Sequence, residues 1–285
     1  MKLCRFDDDR LGLVEAGDIV DVSSALDALP RHRWPVPLGD DLIVHLDRLR
    51  PMIADAAKNG IRRSVASVKL KSPIANPSKI IGAPINYKDH IEESKKDQGI
   101  AHGRVIRTIG DWGLFLKANS SLVGPSEGVA LRFPDRRNDH EVELAVIVGK
   151  PGSNIARADA RRHIAGYAIG LDMTVRGPEL PSFRKSIDSY AVLGPWLVTA
   201  EEIADPNDLD FSIKVNGETK QASNTKHLDF DVFRLIEFAS AFYTLLPGDI
   251  IMTGTPAGVG PVQPGDVMHA EIAGIGAMDV TVRAA

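Results

Sequence analysis

The sequence predicts an α+β chain that is mainly β, with a small α+β piece at residues 1–70 ahead of a larger β-rich part at residues 71–285. Three observations carry this. Many short apolar runs of strand length follow residue 70, one of them closes into a clear hairpin, and two stretches alone carry strong helical periodicity.

The elements follow in order from local pattern. KLCRF and GLVEA flank the turn-forming Asp7-Asp8-Asp9 as a hairpin. Residues 41–58 place Leu42, Leu46, Leu49 and Ile53 at the spacing of one amphipathic helix. VKLKSPIANPSK, with two prolines among small and basic residues, reads as a linker. Beyond it the strand-like runs are 79–82, 129–133, 141–148, 165–174, 196–199, 211–215, 250–253 and 267–272. FSIKV alternates apolar and polar residues and runs into Asn216-Gly217, a pair suited to a type I′ turn, so 218–222 pairs back. A helix over 230–245 gathers Val232, Phe233, Ile236, Phe238, Ala239 and Phe242 on one side and stops at Pro247-Gly248. The absence of internal repeats excludes solenoids and propellers.

Composition narrows the function. With 285 residues, 44% hydrophobic and 25% charged, the chain is ordinary globular material. Its 34 Lys plus Arg against 38 Asp plus Glu give a net charge of −4, so no basic field favours nucleic acid or an anionic membrane. A small-molecule substrate is expected instead. The single cysteine, Cys4, builds neither an intrachain bridge nor a thiolate metal site. No run approaches the roughly 18 apolar residues of a membrane span, and the N-terminus turns acidic where a secretory signal is apolar. A cytoplasmic location is expected.

Chemistry concentrates in DHEVELAVIVGK. Side chains two apart on a strand share a face, so Glu141 and Glu143 project together beside an apolar continuation. Two adjacent carboxylates repel, and burying them requires a proton or a cation between them; a solvated strand face is the alternative. Asp172 ends another apolar run and is either a third oxygen ligand or a turn residue, depending on whether the two strands are neighbours. In NYKDHIEE a helix puts His90 and Glu93 on one face, where the carboxylate orients the imidazole and raises its basicity; a solvated helix start is the other reading. Lys185 is a cation for an anionic substrate or a surface lysine. TGTPAGVG lacks the Gly-Lys-Ser/Thr ending of a P-loop, which excludes ATP or GTP, and either cradles a carboxylate or is a plain turn. The stretch 86–107 combines His90 and Glu93 with many charges, Gly99 and Gly103, and is expected to act as a lid.

Taken together, NYKDHIEE, FLKANSSLVGP, DHEVELAVIVGK, GYAIGLDMTVR, KSIDSYAVLGPWLVT, VNGETKQASNT and PGDIIMTGTPAGVG resemble, in this order, the fumarylacetoacetate hydrolase family from about residue 79 to the C-terminus. The resemblance implies mixed β-sheets rolled into a barrel-like sandwich, a homodimer, and one divalent ion, Mg²⁺ or Mn²⁺, per active site. It assigns Glu141, Glu143 and Asp172 to the metal, His90 and Glu93 to water activation, and Lys185 to catalysis. Arg176 and Thr255 become contacts for the substrate anion. The implied substrate is a 2-oxo or 2-hydroxy-enoic dicarboxylate. Hydrolysis of an acylpyruvate C–C bond leads, ahead of 5-carboxymethyl-2-hydroxymuconate-type isomerisation or oxaloacetate-type decarboxylation. A non-catalytic metal or metabolite binder is the alternative of another class. The chain departs from the family pattern in Gly82 to Tyr87, in Gly177-Pro178-Glu179 and at Arg184, all where substrate choice is expected.

Overall fold

A computed structural model describes residues 1–285 of the protein apart from Arg104 and Ile106. Alternation along the strand Val142–Val148 sets its layering. Val142, Leu144, Val146 and Val148 enter one apolar cluster, whereas Ala145 and Ile147 enter a second on the opposite face of the sheet. Burial on both faces explains why this strand is apolar apart from Glu143 rather than alternating with polar residues.

Val142–Val148 lies within a twelve-stranded mixed sheet. Along its main path the strands are Arg62–Ser64, Asp18–Asp21, Arg10–Glu15, Lys2–Phe6, Ala191–Thr199, Ile164–Asp172, Val142–Val148, Ile250–Met252, Ile80–Gly82 and Phe115–Lys117. A five-stranded sheet orders Glu218–Asn224, Asp210–Val215, Val267–Ile272, Gly276–Ala284 and Val129–Leu131. A small third sheet joins Thr174–Val175, Asn138–His140 and Gly260–Pro261. The first cluster joins the two larger sheets, Phe211, Ile213, Met268 and Val280 of one being buried together with Val142, Leu144, Val146 and Ile169 of the other. Among the described residues none of the sheets closes on itself, so the expected barrel-like sandwich is realised as open mixed sheets over shared cores.

Residues 1–70 continue the large sheet. Lys2–Phe6 pairs antiparallel with Ala191–Thr199, Leu3 opposite Leu197, and the second cluster mixes Leu3, Leu46, Leu49 and Ile53 with Ala145, Ile147, Leu193 and Ile250. The helix expected over 41–58 is two helices, Asp41–Val44 and Leu46–Ala57, separated at His45. Asp40 starts the first by accepting hydrogen bonds from the Leu42 and Ile43 amides. The helix expected over 230–245 runs Val232–Phe242, with Asp231 accepting from the Arg234 amide at its start. Asn216 and Gly217 both take left-handed backbone angles, φ 51° and 83°, as the type I′ turn requires. Gly276–Ala284 forms a strand beyond those expected, although Met278, Val280 and Val282 alternate inward against outward Asp279, Thr281 and Arg283.

Because Leu49 is fully buried in a cluster shared by both parts, Leu49→Ala should lower stability by about 2–5 kcal/mol within a single urea transition. A separate early transition for residues 1–70 would contradict the shared core. At the surface, burial works to raise the Glu201 carboxyl, but hydrogen bonds from Arg50 and Thr199 outweigh it and hold the group down at about 2. A depressed carboxylate stabilises the fold above its unfolded value of 4.5 and loses that effect as pH falls towards 2. The side chain is half exposed, so the contribution is under about 1 kcal/mol. The melting-temperature gap between the parent and Glu201→Gln should therefore be small at pH 7 and vanish near pH 2.

Candidate metal centre

Strand pairing assembles the acidic trio. Val142–Val148 and Ile164–Asp172 run antiparallel with Val142 opposite Leu171 and Glu143 opposite Gly170, and the Asp172 amide donates to the Glu141 carbonyl at 2.9 Å. Glu141, Glu143 and Asp172 therefore share one face, and they offer carboxylate oxygens that all lie within 4.8 Å of one another. All three are buried, so the solvated-face and turn-residue readings do not apply.

Cations surround two of the three. Lys185, following the short helix Pro181–Arg184, donates to Glu141 Oε2 at 2.5 Å and Asp172 Oδ2 at 2.7 Å. Lys117, at the end of Phe115–Lys117, donates to Asp172 Oδ1 and to the Tyr190 carbonyl. Arg176 donates through Nε to Asp139 Oδ2 and through Nη2 to Glu141 Oε1, each at 2.8 Å. Burial alone would raise the Glu141 carboxyl, but Lys185 and Arg176 bring it down to about 2. The opposite holds at Glu143, which burial and the Asp172 charge push well above the usual carboxylate range. Its hydrogen-bond support is the Gly254 amide at 2.6 Å from Oε2. Burial also pulls Lys117 below its ordinary value, against the attraction of Asp172.

A divalent ion fits this set. The trio is all oxygen, which suits hard cations, and a cation removes the penalty at Glu143 that the lysines leave in place.

His90 and Glu93 lie on the helix Lys88–Lys96 at the edge of the same cavity. Glu93 holds His90 Nδ1 at 2.7 Å through Oε2 and accepts from the Gly258 amide at 2.8 Å through Oε1. A carboxylate on Nδ1 leaves Nε2 as the basic nitrogen. His90 lines the cavity together with Glu141, Glu143, Asp172, Arg176, Lys185 and Thr255, so seven of the eight expected site residues face it and Glu93 braces from behind.

The two expected substrate contacts also have partners within the chain. Arg176 is clamped between Asp139 and Glu141, and the Thr255 hydroxyl donates to the Val142 carbonyl at 2.9 Å while accepting from Gln221 Nε2 at 2.8 Å. Lys117, Asp139 and Gln221 were not singled out from sequence. Asp139 shares the two-residue period of Glu141 and Glu143, and Lys117 is the lone charge in an apolar run, whereas Gln221 carries no local signal. The expected lid contributes Ile100 and Ala101 to the cavity wall; Arg104 and Ile106, also within it, lie outside the described residues.

Residues 79–283 match the family described as Fumarylacetoacetate (FAA) hydrolase C-terminal. This chain belongs to the fumarylacetoacetate hydrolase family. Over 285 residues, 99% of each chain, it is 55% identical to a maleylpyruvate hydrolase of Aquipseudomonas alcaligenes. It is 35% identical to the mitochondrial oxaloacetate tautomerase fahd2 of Xenopus laevis, over 94% of this chain and 83% of the other. A crystal structure of maleylpyruvate hydrolase from Sphingobium sp. SYK-6, in complex with manganese(II) and pyruvate, superposes with a TM-score of 0.83 at 40% identity. That alignment covers 100% of this chain and 99% of the other. The chain is thus a hydrolase of this family, and a divalent metal is bound in a structure similar to it.

Removing one carboxylate tests the centre. Glu141→Ala should weaken Mn²⁺ or Mg²⁺ binding by about 100-fold or more in isothermal calorimetry, and unchanged affinity would place the metal elsewhere.

Proposed function

We propose that this enzyme hydrolyses a C–C bond of an acylpyruvate, with maleylpyruvate as the first substrate to try and Mg²⁺ or Mn²⁺ held by Glu141, Glu143 and Asp172. The observation that carries the proposal is that His90, braced by Glu93, faces the acidic trio across one cavity. When bound, the divalent ion polarises the 2-oxo acid and offsets negative charge developing on it. His90 Nε2 takes a proton from water, and Glu93, itself held by Gly258, fixes the ring for that transfer. The water oxygen bonds to the acyl carbonyl carbon, the bond from that carbon to C3 breaks, and its electron pair leaves with C3 as the enolate of pyruvate. Return of the proton held by His90 to C3 gives pyruvate alongside the acid and restores the imidazole. Lys185, fixed by Glu141 and Asp172, adds positive charge to the wall facing the 2-oxo acid. Ile85, Ile100 and Trp112 line the cavity and limit bulk water.

A second reading, proton transfer without hydrolysis, is supported by the kinship with the oxaloacetate tautomerase. The two differ in their need for an activated water. Under hydrolysis, His90→Ala should lose at least about 100-fold in kcat for pyruvate release, about 2.7 kcal/mol, while calorimetry shows metal binding retained. Near-parental turnover in that variant, with faster enol–keto conversion of oxaloacetate by the parent, would favour the second reading.

A further inference from the structure

Three buried cations line the cavity, and two of them serve its metal end. Lys185 and Arg176 are held by Glu141, Asp172 and Asp139, so their donors are directed at the carboxylates of the centre itself. Arg184 reaches the same cavity from the end of Pro181–Arg184 and is buried, at 7% exposure. Its Nε donates to the Glu179 carbonyl at 2.9 Å and its Nη1 to the Val175 carbonyl at 3.4 Å, contacts that fix the guanidinium plane. The helix Lys88–Lys96 supplies a second polar group. Ser94 follows His90 by one helical turn, is fully buried and lines the cavity, and its Oγ has no hydrogen-bond partner among the described residues. A buried hydroxyl without a partner is destabilising, and a ligand oxygen in the cavity satisfies it.

Resting on the hydrolase reading above, we propose that Arg184 and Ser94 recognise the second carboxylate of a dicarboxylic acylpyruvate. The 2-oxo acid head belongs at the acidic trio. The acyl end then extends along a wall that is otherwise largely apolar, through Ile85, Ile100 and Trp112, where a charged end group needs a matching cation. A guanidinium fork matches a carboxylate in shape and charge, and the serine hydroxyl adds a donor to the same ligand. Arg184 and Ser94 thereby select substrates by the charge at the acyl end and not by the bond that breaks.

The measurement is kcat/KM by pyruvate release for maleylpyruvate, divided by that for acetylpyruvate, whose acyl end is uncharged. Arg184→Met should lower this ratio about 100-fold, chiefly through KM for maleylpyruvate, and Arg184→Lys should fall between. Ser94→Ala should lower it about 5- to 10-fold. An unchanged ratio in Arg184→Met overturns the inference, and an unchanged ratio in Ser94→Ala removes Ser94 from it. If Arg184→Met does not fold, the parent decides: a ratio above about 10 is expected, and a ratio near one overturns the assignment. Release of pyruvate from neither compound by the metal-loaded parent overturns the hydrolase reading and this inference with it. Release from both with the ratio unmoved overturns this inference alone.

Discussion

The pairing of Val142–Val148 with Ile164–Asp172 is the constraint on which the site depends, since seven registered positions fix which side chains face which way. Side-chain direction alternates along a strand, so a slip of one residue would send Glu143 to the inter-sheet core and Leu144 to the cavity. The cost of burying the Glu143 carboxylate in that apolar core forbids the slip. The core therefore specifies the site, because the residues that bury Leu144 and Val146 on one side are the reason Glu141 and Glu143 emerge together on the other.

Once gathered, the carboxylates repel, and the surrounding elements are arranged to hold them. Lys117 arrives from one edge of the large sheet, Lys185 from a short helix and Arg176 from the end of a strand in the small third sheet. Each neutralises part of the charge, and each is itself expensive to bury without its partner. Glu143 stands apart in leaning on a single backbone amide. Its mismatch with its surroundings is one that a bound cation would relieve, which is a statement about chemistry that the fold alone does not make.

Much of this was legible in the sequence, for reasons tied to distance along the chain. Glu141 and Glu143 are two residues apart and His90 and Glu93 three apart, so local periodicity reports their common faces. The Asn216-Gly217 hairpin was equally local. Contacts across long separations were not legible. Nothing near Lys117 announces a bond to Asp172, and nothing near Gln221 shows that it ties Thr255 to the strand beginning at Val142. The ion pairs of Arg176 were hidden for the same reason, since its partners Asp139 and Glu141 lie more than thirty residues earlier. The resemblance to a family supplied positions, and the geometry supplied the partners.

The seam between Lys2–Phe6 and Ala191–Thr199 bears on how the chain behaves when cut. The family match begins at residue 79, yet a fragment starting there would lose the four strands that continue the main path of the large sheet beyond Ala191–Thr199. It would bare the backbone donors and acceptors at the Leu197 to Thr199 end of that strand and expose Leu193 and Leu197, which residues such as Leu3 and Leu49 now cover. An open apolar edge of that kind recruits other chains. The first seventy residues thus act as the protein's own shield against sticking to its neighbours, a solubility role served by elements that place no side chain in the cavity.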